Sequence, residues 1–276
     1  MGRIVFAAGV PHTPYFPAAV RGAGAASRIA TLFAEIRRRL ESARPDVLVL
    51  VTSDHFVKFF FDNLPAFCVG IVDEADGPHE NGLDIPHHRV RGHREFARAV
   101  LAHALDTGFD LASAEELRLD HSILVPLYFL DPDARFPVVP LYVKGLALPL
   151  PRATRCYQLG QMLAKFVAGR PEHERVAVVA TGSFSLEVGG PMMGRINRRW
   201  ADDVGAAIRE GRAKQLVRRA TPTRLARAGN TAGELLDWIV LLGALSAARP
   251  SFFEADAQPP EAPRDAHAYA AWEFSS

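Results

Sequence analysis

Two histidines in this 276-residue chain directly follow short apolar runs: His12 comes after RIVFAAG (3–9) and His55 after VLVLVTS (47–53). Runs of this kind read as strands buried on both faces of a parallel sheet, and ligands bind at the carboxyl edge of such sheets. Imidazole is the commonest protein ligand for iron, zinc and copper, so two histidines leaving neighbouring strand ends can meet at one metal. Taken singly, a strand-end histidine is more often solvated or hydrogen-bonded than a ligand. Asp54, beside His55, has the chemistry of a carboxylate that orients a ligating imidazole. Glu234 has two readings. Thr231-Ala232-Gly233-Glu234 is a capping-box pattern that opens a helix running on as LLDWIVLLGAL, which accounts for the glutamate without a metal. Its carboxylate could instead complete the two histidines as a facial triad with open coordination positions.

The elements that must position these groups follow from hydrophobic spacing. Residues 26–42 place Ile29, Leu32, Phe33, Ile36 and Leu40 on one helical face between the first two strands. Further apolar runs at 65–72, 137–143 and 175–181 alternate with helical patterns at 92–105, 154–168 and 198–218. The expectation is an α/β fold, one domain over 1–276 with a central mixed or mostly parallel sheet flanked by helices. Residues 73–91, rich in Gly, Pro, His and acid, read as a long loop or an irregular excursion, often functional, and 249–276 as a loosely structured Pro- and Ala-rich C-terminal tail or an arm over the surface.

Composition narrows the function classes. Lys+Arg number 32 against 31 Asp+Glu, so no global field would recruit nucleic acid or an anionic membrane. Two cysteines make neither a disulfide framework nor a cysteine-rich metal site, which fits a reducing cytoplasm. The N-terminal apolar run is cut by Pro11, His12 and Pro14 before a signal peptide could form, Phe6 breaks a myristoylation motif, and no apolar stretch reaches the roughly 18 residues of a membrane span.

Eight fragments, in order along the chain, carry a family resemblance. They are VPHTP around His12, PDVLVLVTSDH ending at His55, VRGH at 90–93, LDHSILVPL at 119–127, LPRATRCYQLGQ at 150–161, ATGSFS at 180–185, GPMMGRINRRW at 190–200 and GNTAGELLDWIVLLGAL at 229–245. Together they resemble the class III extradiol (LigB-type) ring-cleavage dioxygenases, of the protocatechuate 4,5-dioxygenase β-subunit kind. The resemblance implies an Fe(II) held by His12, His55 and Glu234, and a small aromatic diol or aminophenol opened with O2. It also implies His121 as a catalytic neighbour of the substrate, with Ser53, Asn63 and Ser185 as lesser candidates to line the pocket. A small α subunit, or a homodimer whose C-terminal arms close each other's sites, is the expected assembly.

One departure stands out. Leu186 occupies the position of the family's acid/base histidine, and leucine cannot donate, accept or relay a proton. His121 and Glu187 are the nearest groups that could take over; a substrate needing less proton relay, such as an aminophenol or a heteroaromatic diol, is a second explanation, and a degenerate or deliberately altered subunit with little turnover a third, behind an active dioxygenase because all three metal ligands are kept. Two rival functions stay open: a zinc hydrolase on the same triad, and a binding subunit without turnover. A serine hydrolase is disfavoured, because Gly182-Ser183-Phe184-Ser185-Leu186 lacks the Gly-x-Ser-x-Gly elbow.

Overall fold

The computed structural model describes residues 1–24, 27–256 and 266–274. The strands in chain order are β1 (Arg3–Val10), β2 (Val47–Thr52), β3 (Phe67–Gly70), β4 (Glu74–Gly77), β5 (His88–Arg91), β6 (Ala112–Ala114), β7 (Val138–Val143), β8 (Arg175–Thr181), β9 (Phe252–Asp256) and β10 (His267–Glu273). Eight of them form one sheet in the order β6-β3-β7-β2-β8-β1-β10-β9, and β4 pairs with β5 in a separate hairpin. The centre of the sheet, β7-β2-β8-β1, is parallel, while β3, β10 and β9 pair antiparallel with β7, β1 and β10 respectively. This is the expected α/β domain with a mixed, mostly parallel sheet.

Alternation along the strands divides the core. Val47, Val49 and Val51 of β2, with Val176, Val178 and Ala180 of β8, face one helical layer. That layer holds α3 (Arg94–Asp106), α5 (Ala153–Ala168), α6 (Arg198–Arg209), α7 (Ala213–Arg219), α8 (Pro222–Ala228) and α9 (Leu235–Leu245). Leu48, Leu50, Ala177 and Val179 face the other layer, built from α1 (Phe16–Ala23), α2 (Arg28–Ala43) and α4 (His121–Leu130). Both faces of the sheet are covered, as runs of continuous apolar residues require.

Three expectations are corrected. The helix read at 198–218 is two helices, because Gly211 takes a positive φ of 69° and turns the chain between α6 and α7. The 73–91 stretch is not a structureless loop: β4 and β5 close it into a hairpin, with register Glu74 to Arg91 through Gly77 to His88. The described parts of the C-terminal stretch are not a loose tail. β10 inserts beside β1 and β9 forms the sheet edge, with Tyr269 and Trp272 buried, so these strands complete this chain's own sheet. Residues 257–265 and 275–276 of that stretch lie outside the described residues.

The helix that matters most for the site is α9. Leu235, Leu236, Ile239, Val240, Leu241, Leu242 and Leu245 are all buried. At roughly 1.5–3 kcal/mol each, their burial is worth on the order of 10–20 kcal/mol before entropy is counted. That is enough to carry an ionisable group into the interior at the helix start. α9 lies directly on α5 because both helices present glycine at the crossing. A Cβ on Gly160 would stand 1.9 Å from the Val240 carbonyl oxygen, and one on Gly243 would stand 2.1 Å from that of Tyr157.

Candidate metal centre

β1, β2 and β8 run parallel, so the residues following each emerge at one edge of the sheet. His12 and His55 leave β1 and β2 there, while Thr181 ends β8 and Ser183 follows it. His121 is the first residue of α4, and Glu234 sits in the short 3-10 turn that precedes α9. One ring nitrogen from each of His12, His55 and His121 lies within 4.8 Å of the other two. His12 Nε2 is 3.4 Å and His55 Nε2 is 3.5 Å from the same oxygen, Glu234 Oε1.

Each of these groups is held from behind. Glu234 Oε2 accepts hydrogen bonds from the backbone N–H of Ser183 (2.7 Å) and from its hydroxyl (3.0 Å). Trp238, on α9, donates its indole N–H to the Gly182 carbonyl at 3.2 Å, which fixes the helix against the end of β8. Thr231 does not cap the helix; its hydroxyl donates to the Leu186 carbonyl at 3.1 Å. The capping-box reading of Glu234 therefore fails, because the carboxylate is spent on Ser183 and faces the histidines.

The imidazole tautomers follow from where each hydrogen-bond chain ends. The Ser122 carbonyl can only accept, so Thr52 donates to it (a long 3.4 Å) and in turn accepts from Thr181 at 2.7 Å. Thr181 is then left to accept from His12 Nδ1 at 2.9 Å, which puts the proton on Nδ1 and the Nε2 lone pair toward Glu234. Asp120 Oδ2 accepts from both the backbone N–H (2.7 Å) and Nδ1 (3.0 Å) of His55, and its Oδ1 caps α4 through the backbone N–H of Ser122 at 3.1 Å. Glu80 does the same for His121, accepting from its backbone N–H and from its Nδ1, each at 2.6 Å. All three histidines thus present Nε2 inward.

The charge distribution is strongly biased. Burial opposes a charged His55, but the hydrogen bonds to Asp120 and Glu234 outweigh it and raise its pKa to about 10. Although both are buried, Asp120 is held below the ordinary carboxylate range by His55, and Glu234 by His12 and His55. Burial and the charge of His55 push His121 the other way, toward the neutral form. Two ionised carboxylates thus draw positive charge into this buried site, which the His55 proton supplies and which a metal cation could take over.

These groups open into a cavity of about 620 Å³ whose wall also includes Phe56, Leu146, Leu186, Glu187 and Val188. Of the residues expected from the sequence, His12, His55, His121, Glu234, Leu186 and Glu187 all reach it. Ser53, Asn63 and Ser185 do not. Ser53 keeps the strand parity of Val51, faces α9 and donates to Asp237 at 2.9 Å, where burial holds the Asp237 carboxyl well above its usual range. Asn63 is exposed in a turn closed by its backbone N–H on the Phe60 carbonyl. The buried Ser185 hydroxyl donates to the Ala228 carbonyl and accepts from the Asn197 N–H. Asp54 is likewise not the partner of His55. Its carboxylate accepts from the N–H groups of Val57, Lys58 and Phe59, and burial raises its pKa to about 6.

Thr181, Ser183, Asp120 and Glu80 are the groups that residue types alone did not single out. For the first two a signal existed, since they end the third parallel strand at the same edge. Glu80 lies in the acid- and histidine-rich segment read as functional, but nothing there marks one acid over another.

The chain's likeness to known proteins agrees with this geometry. Over 195 residues it is 31% identical to a 2,3-dihydroxyphenylpropionate/2,3-dihydroxicinnamic acid 1,2-dioxygenase of Pseudomonas putida, covering 69% of this chain and 59% of that protein. It is 34% identical over 182 residues to a gallate dioxygenase of Pseudomonas putida, covering 64% of this chain and 51% of that protein. The chain thus spans about three fifths or less of the length of these two curated relatives. A crystal structure of an uncharacterized protein from Escherichia coli K12 has the same fold, with a TM-score of 0.60 at 15% identity over 96% of this chain and 99% of that one. Residues 6–261 match the model of the catalytic LigB subunit of aromatic ring-opening dioxygenases, and the chain belongs to that family.

Proposed function

We propose that this protein opens the ring of an aromatic diol or aminophenol with O2, with His12, His55 and Glu234 holding a ferrous ion and His121 handling the substrate proton. The observation that carries this is the convergence of His12 Nε2 and His55 Nε2 on Glu234 Oε1, at 3.4 and 3.5 Å. Two donors each about 2.1 Å from one metal stand about 3.0–3.5 Å apart when they subtend roughly 90–110°, so these separations suit a single ion. Two neutral imidazoles and one carboxylate form the facial donor set of non-haem ferrous oxygenases, with positions left for substrate and oxygen. When bound, the ion supplies the redox chemistry between ring and O2.

The residues do the rest. Thr181 and Asp120 fix the two ligating imidazoles in the Nδ1–H tautomer, which keeps their inward lone pairs available. Glu80 does the same for His121, and burial keeps that imidazole neutral, so its Nε2 can take a proton from a diol hydroxyl and return it later in the reaction. Glu187 is occupied by Arg195 at 3.2 Å, which leaves proton transfer to His121. Leu186 contributes an apolar wall where the resemblance calls for a second acid/base histidine. The relatives are named for dihydroxyphenylpropionate and gallate, and the vicinal ring hydroxyls of those compounds are the feature this site is taken to require.

The test is oxygen uptake by protein loaded with ferrous iron under anaerobic conditions, across a panel of diols and aminophenols. Uptake should depend on Fe(II), vanish on its oxidation, return with ferrous iron and reductant, and fail with zinc. An oxygen-independent hydrolysis supported by zinc would overturn the proposal. Leu186→His is expected to speed cleavage of plain catechol by at most about 10²–10⁴-fold. No gain would mean that one proton-transfer group suffices.

A further inference from the structure

The wall of the cavity away from the histidines is built from apolar side chains: Phe56, Leu146, Leu186, Val188 and Met193, with the ring of Tyr15. Among the described residues no lysine or arginine lines it. The nearest cation in sequence, Arg195, is neutralised by Glu187, itself on the wall. Three further polar groups there, Asn230, Thr231 and Ser183, are already committed. Asn230 accepts from the Val188 N–H at 2.9 Å and donates to the Val188 carbonyl at 2.8 Å, so its amide is turned onto the loop. The hydroxyls of Thr231 and Ser183 are taken by the Leu186 carbonyl and Glu234. An anionic substituent entering this space would lose hydration without a cationic partner and would meet Glu187.

Size points the same way. The cavity measures about 620 Å³, whereas roughly 150 Å³ suffices for one benzene ring. A ring bound at the triad leaves room for a substituent larger than itself, on a wall that is mainly apolar and offers no cation.

We propose that the substrate is an uncharged catechol bearing a bulky apolar substituent, alkyl or aryl, and that Leu186, Val188 and Met193 select it against carboxylate-bearing diols. This rests on the ring-opening reading of the same site. Leu186 then has a positive role: histidine there would place a polar, hydrated ring where the substituent packs.

The experiment compares butylcatechol and phenylcatechol with dihydroxybenzoate and dihydroxyphenylpropionate, on ferrous-loaded protein, by oxygen uptake and by anaerobic calorimetric binding. Neutral diols should lead in kcat/KM by about a hundredfold or more, the scale on which a site rejects a group it leaves unpaired. Val188→Arg sets a cation on the half-exposed rim, where side-chain replacement leaves the core intact, and should narrow the gap about tenfold or more. Equal or better use of the carboxylated diols overturns the inference while leaving ring opening in place. If no diol consumes oxygen, binding decides. Preferential binding of the neutral diols upholds the pocket assignment and sinks the activity, and binding without preference, or no binding, overturns the pocket assignment as well.

Discussion

Glu234→Gln separates the metal-ligand role of this residue from every structural role it could have. In the wild-type site Oε2 takes two hydrogen bonds from Ser183 and Oε1 faces the Nε2 atoms of His12 and His55. A glutamine in the same rotamer keeps its carbonyl oxygen on Ser183 but turns its NH2 toward His12 and His55, so His55 loses one of the two carboxylates that hold its charged form. It also removes a buried negative charge. Stability without metal should therefore fall by up to about 3–5 kcal/mol, the scale on which removing one partner of a buried ion pair destabilises. Metal binding should fall as well. Apparent binding energies of about 10–16 kcal/mol shared over four ligands put one ligand at roughly 2.5–4 kcal/mol, or about two to three orders of magnitude in affinity. Anaerobic titration of ferrous iron by calorimetry reads the second quantity, and urea unfolding of the chelator-treated protein reads the first. Native affinity at one iron per chain in the variant would refute the assignment of Glu234. A stability loss with unchanged metal affinity would make Glu234 an ion-pair partner of His12 and His55 and not a ligand.

Other outcomes follow from the same geometry. Asp120→Asn, whose amide cannot satisfy both His55 and Ser122 as the carboxylate does, should lower iron affinity or turnover about 10–100-fold, measured by the same calorimetry. Gly160→Ala would drive a methyl into the Val240 carbonyl and should cost about 3 kcal/mol or more in urea unfolding, with loss of bound metal as α9 is displaced. Glu35, held at a pKa of about 2 chiefly by hydrogen bonding to Arg38 and Arg39 against the effect of burial, is lower folded than unfolded. Its contribution is thus present above its ordinary value of 4.5 and is lost as pH falls from there toward about 2. For this partly exposed group, in contact with solvent, it amounts to no more than about 1 kcal/mol. Glu35→Gln should accordingly destabilise the protein slightly at pH 7 and not at all near pH 2, as followed by urea midpoints.

Much of this protein is legible in its residues. RIVFAAG and VLVLVTS have no polar face, so each must be covered on both sides, and that requirement alone implies parallel strands between helical layers. Parallel strands put their carboxyl ends at one edge, so the convergence of His12 and His55 was implied by chain direction. The C-terminal strand β10 was less visible. HAYAAWE is short, alanine-rich and preceded by a proline-rich stretch, and its fitness for a place inside the sheet shows only once β1 offers an unpaired edge.

What the sequence could not decide was the partner of each group. Asp54 is adjacent to His55 yet caps the turn at 57–59, while Asp120, 65 residues away, orients the imidazole. The Thr-x-x-Glu pattern at 231–234 is the same string whether it caps a helix or offers a ligand. It became a site because Trp238 and the Gly160–Gly243 crossing hold α9 where Ser183 and the two histidines meet the carboxylate. Strand and helix signals are local and periodic, so the amino-acid sequence by itself determined the layers and the edge at which chemistry occurs. Hydrogen-bond pairing between distant segments carries no periodicity, so only the tertiary structure decided which carboxylate serves which histidine, that Glu80 stands behind His121, and that Leu186 faces the cavity.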